Sequence, residues 1–469
     1  EGKMSNLTRR SLLKVFGSAS ALMTLPQCAK PELEIPAKAT PPVTPKNIPV
    51  VPKADGYLAI LQGPTSSSEA LINVLAPRLK TYIYTVVDST GAAVQVERYE
   101  VVKGPVFYSV DKLRVTGLRI GETYTLNVHD RKTLIDQRTF GALDTTKAEP
   151  RIALASCMSD DRLFAEVIDP MWRRLQEQDI DLLVLCGDEV YVDSFEFVER
   201  QKATEFDLWQ RYVDALKRIP LYHWRALKPT LAVWDDHDYG TNDGDRDFIS
   251  KDQALRLFRA VFGGPSIEGV WEQSPNGCSS AFKAFGQRFY LMDDRTFRQP
   301  NKNQQAGETF GHWGQAQHEW LIERLRSDRS PAWIINGNQL FNGVSLTFKE
   351  AFEQNHAPEF VALIDQLKTI EAPVVFSSGD VHLSEIMRIP KERIGYETFE
   401  ITSSSMHSFV GSGWENPMRL SGAYTREFNF VVVRSQASAG KLDLDVQSLG
   451  LAPAPYFSQR LSVERGAIV

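Results

Sequence analysis

The sequence predicts an α/β protein with a small all-β unit ahead of its main domain. Three observations carry this prediction. Short apolar runs at 152–155, 182–185, 229–233, 332–336 and 373–377 each lead directly into Asp, His, Asn or Cys residues. Between them lie stretches with helical spacing, such as Leu163, Val167, Ile168, Met171 and Leu175. Residues 57–148 instead alternate with period two, the mark of half-buried strands.

The chain has 469 residues, of which 42% are hydrophobic and 24% charged. At about 100–200 residues per domain this gives two or three soluble domains. The net charge of −6 supplies no basic excess to neutralise phosphates, which argues against nucleic acid as a partner. Four cysteines (Cys28, Cys157, Cys186, Cys278) do not make a disulfide framework.

Residues 7–14 read Leu-Thr-Arg-Arg-Ser-Leu-Leu-Lys and precede an apolar stretch from Val15 to Leu25. The stretch is too short to span a bilayer, which needs about 20 residues. Residues 1–28 resemble a twin-arginine signal peptide, which implies the twin-arginine export machinery as a partner and a periplasmic or cell-surface location. Cys28 has a leucine three positions before it but the bulky Gln27 adjacent, so membrane attachment depends on whether Cys28 is lipidated. Eight prolines between 26 and 56 predict an extended linker over 29–56.

Tyr82 to Val87 is a β-branched and aromatic run closed by the turn residues Asp88-Ser89-Thr90-Gly91. Val94 and Val96, then Tyr124, Leu126 and Val128, alternate with polar neighbours. The pattern Leu-x-x-Gly-x-x-Tyr at 118–124 resembles a fibronectin-type sandwich with Tyr124 as its corner tyrosine. The all-β unit is expected over 57–148 and the α/β domain over 149–469.

In that domain, a strand, a helix and a second buried strand between Arg151 and Cys186 form a β-α-β unit, so the two strands should be parallel. Each delivers polar residues at its C-terminal end, where open α/β sheets place ligands. Cys157, Asp188, Asp235, Asp236, Asp380, His237 and His382 should therefore converge. Carboxylates packed this densely repel one another unless a polyvalent cation sits between them. The bridging candidate is Asp188, because Gly187 lets the backbone approach closely. Tyr191, three residues on, can reach the same ion, and only a strong Lewis acid such as ferric iron would deprotonate a phenol there. The Cys157 thiolate favours iron or zinc over magnesium, and the remaining hard oxygens suit calcium, magnesium or manganese.

Ala-Ser-Cys at 155–157, Gly-Asp-x-x-Tyr-x-Asp at 187–193, Val-Trp-Asp-Asp-His-Asp at 233–238 and Gly-Asp-Val-His at 379–382 resemble the alkaline phosphatase D family of the metallophosphoesterases. The blocks at 291–298 and 333–339 resemble further family segments. The resemblance covers residues 57–450 with motif order preserved. It implies a four-layer α/β metallophosphoesterase-like sandwich behind the small β-sandwich. It also implies an iron–calcium centre and hydrolysis of a small phosphate-ester substrate, monoester or diester, by a metal-activated hydroxide. Carried over residue by residue, it puts Cys157, Asp188, Tyr191 and His382 on the iron, and Asp188, Asp236 and Asp380 around the second cation. Asp235 and Asn242 stand as alternatives there. His237 would hydrogen-bond the phosphate or protonate the leaving oxygen, and Arg295 would clamp the phosphate.

The segment after His237 reads Asp-Tyr-Gly-Thr-Asn-Asp, in place of a Glu-containing, double-Asn form, and residues 400–408 look like a shorter subgroup. Asp193 reads as a turn cap, Cys186 as core packing, Cys278 as structural, Trp234 and Tyr239 as packing residues, and His407 as a substrate contact or a loop histidine. Two other functions compete: a phosphodiesterase or phospholipase for wall polymers or phospholipids, and a non-catalytic exported binding protein whose β unit is the working part.

Overall fold

The computed structural model describes residues 58–466, apart from 195, 200–201, 303, 344–349 and 412–414. The leader, the proline-rich linker and Cys28 lie outside the described residues. The first strands are β1 (Ala59–Thr65), β2 (Glu69–Pro77), β3 (Tyr82–Val87), β4 (Ala93–Lys103), β5 (Tyr108–Thr116), β6 (Thr123–Asp130) and β7 (Thr133–Gly141). They form a seven-stranded antiparallel sheet in the order β1-β2-β5-β4-β3-β6-β7. Strand β4 pairs with β5 over most of its length but with β3 only through Val94 and Ala93. The alternating residues Tyr124, Leu126 and Val128 are buried against Ile60, Ile72, Val74, Leu113 and Phe140. The Tyr124 hydroxyl accepts from the Arg119 amide at 2.8 Å and donates to Glu122 at 2.9 Å, a corner-tyrosine arrangement.

The α/β portion opens with β8 (Arg151–Ala155), β9 (Leu182–Cys186) and β10 (Thr230–Val233). Their pairing is parallel, as a strand-helix-strand unit demands. A helix at Ala165–Gln176 connects β8 to β9 and buries Ile168, Met171, Trp172 and Leu175. Leu163, expected on that buried face, precedes the helix in a 3-10 turn and is exposed. The segment 162–164 winds more tightly, so Phe164 takes the inward position instead.

A second sheet is built from β11 (Trp271–Gln273), β12 (Ser280–Ala284), β13 (Gln287–Met292), β14 (Ala332–Asn336), β15 (Val374–Ser378), β16 (Ser384–Ile389), β17 (Thr398–Thr402) and β18 (Arg419–Thr425). Its order is β11-β12-β13-β14-β15-β17-β16-β18. Strands β13, β14, β15 and β17 run parallel, so their C-terminal ends share one edge. The chain then returns to the first α/β sheet through β19 (Asn429–Ser438), β20 (Lys441–Gly450) and β21 (Phe457–Glu464). Strand β19 pairs antiparallel with β8, giving the order β10-β9-β8-β19-β20-β21. Both sheets contribute to one hydrophobic core, with Leu154, Leu183, Val184, Ile334, Val375 and Val432 among its members.

All of these strands belong to one compact unit, Val51–Val469. Lys112 of β5 is buried and donates to the carbonyls of Arg259, Ala260 and Gly263, while Asn73 of β2 donates to Val261 and Gly263. These carbonyls close the helix Lys251–Phe262; the Gly263 amide also donates to Arg259 at 3.0 Å, but the last turn of a helix has too few backbone donors for all of its carbonyls. Helix-end carbonyls of the α/β portion are thus satisfied by side chains of the all-β portion. Replacing Lys112 with Met keeps the stem and removes three hydrogen bonds from these carbonyls, leaving Arg259 to the Gly263 amide and Gly263 to Asn73. The expected loss is about 2–3 kcal/mol of unfolding free energy, read as a lower urea midpoint for the intact chain; an unchanged midpoint would show that water replaces the ammonium.

Candidate metal centre

Five of the seven residues expected to converge, Cys157, Asp188, Asp236, His237 and His382, fall into shared clusters. Cys157 follows β8, Asp188 follows β9, Asp235 to His237 follow β10, and Asp380 and His382 follow β15. Three overlapping sets of side chains bring potential ligand atoms within 4.8 Å of one another: Cys157, Asp188 and His382; Asp188, Asp236 and His237; and Asp236, Asp243 and Glu350. Asp188 belongs to the first two and Asp236 to the last two, so the sets form a chain.

The backbone is bent to achieve this. Cys157, Asp188, Asp380 and His382 all adopt positive φ, between 55° and 65°. Each such residue costs of order 1–3 kcal/mol, a cost borne where surrounding structure enforces it. Gly187, at φ +89°, leaves room that a Cβ would lose, since one placed there would meet Asp235 Cβ at 2.6 Å. The 187–191 loop can therefore lie directly against the 234–238 loop. Asp238 secures that contact: its carboxylate accepts from the amides of Asp188 and Val190, both at 2.6 Å, and of Asp235 at 3.2 Å.

In the first set, Cys157 Sγ lies 3.4 Å and the Tyr191 hydroxyl 3.3 Å from Asp188 Oδ2. Tyr191 is also 3.5 Å from His382 Nε2 and 3.0 Å from Ser408 Oγ. Ser404 Oγ approaches Cys157 Sγ to 3.0 Å. Burial and the Asp188 carboxylate push both the thiol and the phenol well above their ordinary pKa. Burial also raises Asp188, and Asp188 Oδ1 has no hydrogen-bond partner among the described residues. A buried oxygen left unpaired beside a thiol, a phenol and an imidazole is the donor set a soft-to-borderline cation satisfies. His382 is pushed down to about 4 by burial and by His237, so it presents a neutral ring.

In the second set, the His237 ring stacks on Tyr191, with centroids 4.1 Å apart and planes at 24°. Its Nδ1 lies 2.8 Å from both oxygens of Asp193. Asp193, expected as a turn cap, is instead the carboxylate that orients the histidine. Burial disfavours the His237 cation, but Asp236, Asp188 and Asp193 outweigh it and hold the ring pKa well above 6.5. Asp236 accepts from the amides of His237 at 2.8 Å and Asp243 at 2.6 Å.

Of the acid pair at 235–236, it is Asp236 that joins the ligand sets. Asp235 Oδ1 is engaged by Arg295 Nε at 2.6 Å, although its Oδ2 is unpartnered among the described residues. Arg295, expected to clamp the phosphate, is 0% exposed. Its guanidinium is committed to Asp235, to both oxygens of Glu350 at 3.1 and 3.3 Å, and to the Gly244 carbonyl. Those donors hold protein carboxylates in place. Asn242 is exposed. Its neighbour Asp243, at the outer edge of the cluster, joins the third set, with burial of its carboxyl and Glu350 raising the pKa to about 7. Asp380 also stands outside the three sets, though burial and the charges of Glu350, Asp236 and Asp188 raise its pKa well above normal. Glu350 and Asp243 are additions that sequence reasoning missed. Glu350 follows Val344-Ser345-Leu346-Thr347-Phe348-Lys349, an alternating stretch and not a continuous apolar run, so a search for apolar runs ending in acids passes over it, whereas Asp243 lies one residue from the position that was considered.

His407 is buried, accepting from Trp172 Nε1 at 2.8 Å and donating from Nδ1 to the Ser159 carbonyl, which makes it a structural residue. Cys186 is buried in β9, and Cys278 is buried with its amide donating to Asp293. Trp234 and Tyr239 are buried and pack edge-to-face. A surface concavity of about 730 Å³, lined by Asp328, Arg329, Glu371 and Arg465 among others, contains none of the ligand candidates. Convergent buried charge is what marks this site.

No family model matches the chain, and no curated protein does. Among solved structures, one titled "Structure of PhoD" superposes with a TM-score of 0.64 at 15% identity, over 87% of this chain and 90% of that one. The fold is PhoD-like. A second, a crystal structure of the Thermus thermophilus protein TT1561, reaches a TM-score of 0.29 at 9% identity, over 65% of this chain and 100% of that one, too little overlap to carry an argument.

Elemental analysis of the purified protein should find at least one polyvalent cation. Asp188→Asn, which alters two of the three ligand sets at once, should lower the metal content more than Asp243→Asn, which alters one. Equal content in both variants would remove Asp188 from the bridging position.

Proposed function

We propose that this protein is a metal-dependent phosphoesterase that hydrolyses phosphate monoesters or diesters, in a four-layer metallophosphoesterase-like domain. The observation that carries the reading is the chain of three ligand sets joined through Asp188 and Asp236. The PhoD-like fold and the motif resemblance to alkaline phosphatase D support it. The unpaired Asp188 Oδ1 and the mixed sulfur, phenol, imidazole and carboxylate donors fit iron at Cys157, Asp188, Tyr191 and His382, with zinc as the alternative. The carboxylate set of Asp236, Asp243 and Glu350 fits a harder cation such as calcium, magnesium or manganese. Bound there, such cations supply Lewis acidity, which neutralises phosphoryl oxygens and makes water a better nucleophile near neutral pH.

The protein's own residues do the rest. Asp193 accepts from His237 Nδ1 and Tyr191 stacks on the ring, which together fix the direction of Nε2. A proton held at Nε2 passes to the leaving alcohol oxygen as the P–O bond breaks and water's oxygen bonds to phosphorus. Arg295 and Arg298 pin Glu350, and Asp238 pins the Asp188 loop, so the ligands are held before any cation arrives. The leader-like residues 7–25 support placing this activity outside the cytoplasm, which fractionation of expressing cells tests directly.

Metal-replete protein should hydrolyse 4-nitrophenyl phosphate or its bis-ester, and the ratio of the two rates assigns monoesterase or diesterase. Hydrolysis of neither sinks the reading. Asp193→Asn should lower kcat about 100-fold, the lower end of the range for losing general acid–base help, while metal content stays at the wild-type level. If the purified protein is violet, Tyr191→Phe should abolish the colour; colour that persists would take Tyr191 off the iron.

A further inference from the structure

The segment 403–411 is held to the metal centre at both ends of its last turn. Ser408 Oγ lies 3.0 Å from the Tyr191 hydroxyl, and the Ser408 amide donates to Ser405 Oγ at 2.8 Å. Three residues on, the Gly411 amide donates to the His382 carbonyl at 2.6 Å. Tyr191 and His382 both belong to the proposed iron site. The two residues between these anchors are Phe409 and Val410, and they are apolar and exposed, at 62% and 43%. With consecutive Cα atoms about 3.8 Å apart, neither can lie far from the ligand cluster.

A second apolar element meets them. The Phe409 ring packs edge-to-face on Phe164, with centroids 5.2 Å apart, and Phe164 in turn packs on Phe428. Leu163, beside Phe164 in the chain, is 74% exposed. This element also starts from the metal centre, since Cys157 lies six residues upstream of Leu163 and the Ser159 carbonyl is held by His407. Single exposed apolar residues are ordinary on protein surfaces. Phe409 and Phe164 packed ring to ring across two loops that each start from a candidate metal ligand, with Val410 and Leu163 exposed next to them in the chain, are more than such singles. The four side chains themselves carry no charge and no hydrogen-bonding group, although exposed Asp161 and Arg162 precede Leu163 and Arg426 donates to the Gly411 carbonyl.

We propose that Phe409, Val410, Leu163 and the edge of Phe164 form an apolar platform at the rim of the metal centre that receives the alcohol half of a phosphate ester, and that the substrate class is esters of aryl or alkyl alcohols. This rests on the phosphoesterase reading above. The phosphoryl group is taken by the charged cluster, so the organic half must extend outward over the rim. Covering the Phe409 face with an aromatic or alkyl group removes apolar surface from water and adds ring-to-ring contact. A glycerol half would instead lose hydrogen bonds to water there without replacement.

The test uses the full, metal-loaded protein and two esters, 1-naphthyl phosphate and glycerol 2-phosphate. Phe409→Ala should lower the ratio of kcat/KM for naphthyl over glycerol ester roughly 10-fold, the scale of one aromatic contact plus its buried area, with the loss residing in KM. Leu163→Ser, at a side chain too exposed to matter for folding, should shift the ratio the same way by about 3-fold. In parallel, calorimetry should show benzylphosphonate binding the wild type more tightly than methylphosphonate, a preference reduced in both variants. A ratio unchanged in both variants, or an equal fall on the two esters, overturns the platform. If the wild type hydrolyses neither monoester, the calorimetry decides alone: equal affinity for the two phosphonates overturns the platform, while the phosphoesterase reading itself fails only if the 4-nitrophenyl bis-ester is not hydrolysed either.

Discussion

Mutual repulsion among buried carboxylates is the constraint to which the rest of the structure answers. Asp188, Asp235, Asp236, Asp243, Glu350 and Asp380 gather in one cluster, and among the described residues the cations set against them are Arg295, Arg298 and His237. The arginines are consumed by Asp235 and Glu350. Burial leaves Asp188, Asp243 and Asp380 with raised pKa values, and Asp235 as well despite Arg295 beside it, the signature of charge withdrawn from water without full compensation. Burying such groups costs several kcal/mol each unless they are paired. The fold bears that cost locally and recovers stability in the large core shared by its two α/β sheets.

The same constraint explains the strained backbone. Positive φ at Cys157, Asp188, Asp380 and His382 turns each chain sharply as it leaves its strand, so the side chains point to a common centre instead of continuing along the strand. The strain is held by groups that are not themselves ligands. Asp238 ties two loops together through three amides, and Ser404 and Ser408 reach Cys157 and Tyr191 from the far side of the sequence. Arg295 does the corresponding work for Asp235 and Glu350.

Much of this is legible in the sequence because it is local. Tyr82–Val87 and Ala332–Asn336 are strands over the residues that propensity and alternation indicate, and the strand-end positions of Cys157, Asp188, Asp236 and His382 follow from apolar runs alone. What the sequence does not disclose depends on long-range pairing. Nothing near Asp193 indicates that His237, 44 residues away, will take its carboxylate. Arg295 invites misreading because its motif lies in a strand-end segment like the others, while its burial against Glu350 depends on a contact 55 residues distant. Asn242 attracts attention at the expense of Asp243, since one residue of offset in a turn changes which side chain faces the cluster and periodicity does not extend into loops.

Strand β19 has a consequence for how the molecule is made. It sits between β8 and β20 in the first α/β sheet, so the strand that carries Cys157 acquires its second neighbour only from residues 429–438. Until a ribosome has delivered that segment, β8 presents an open edge of unpaired amides and carbonyls next to a half-assembled cluster of acids. Such edges template association between chains. That edge closes only once residues 429–438 have been made, and until then a chaperone or quick continuation of the chain must cover it.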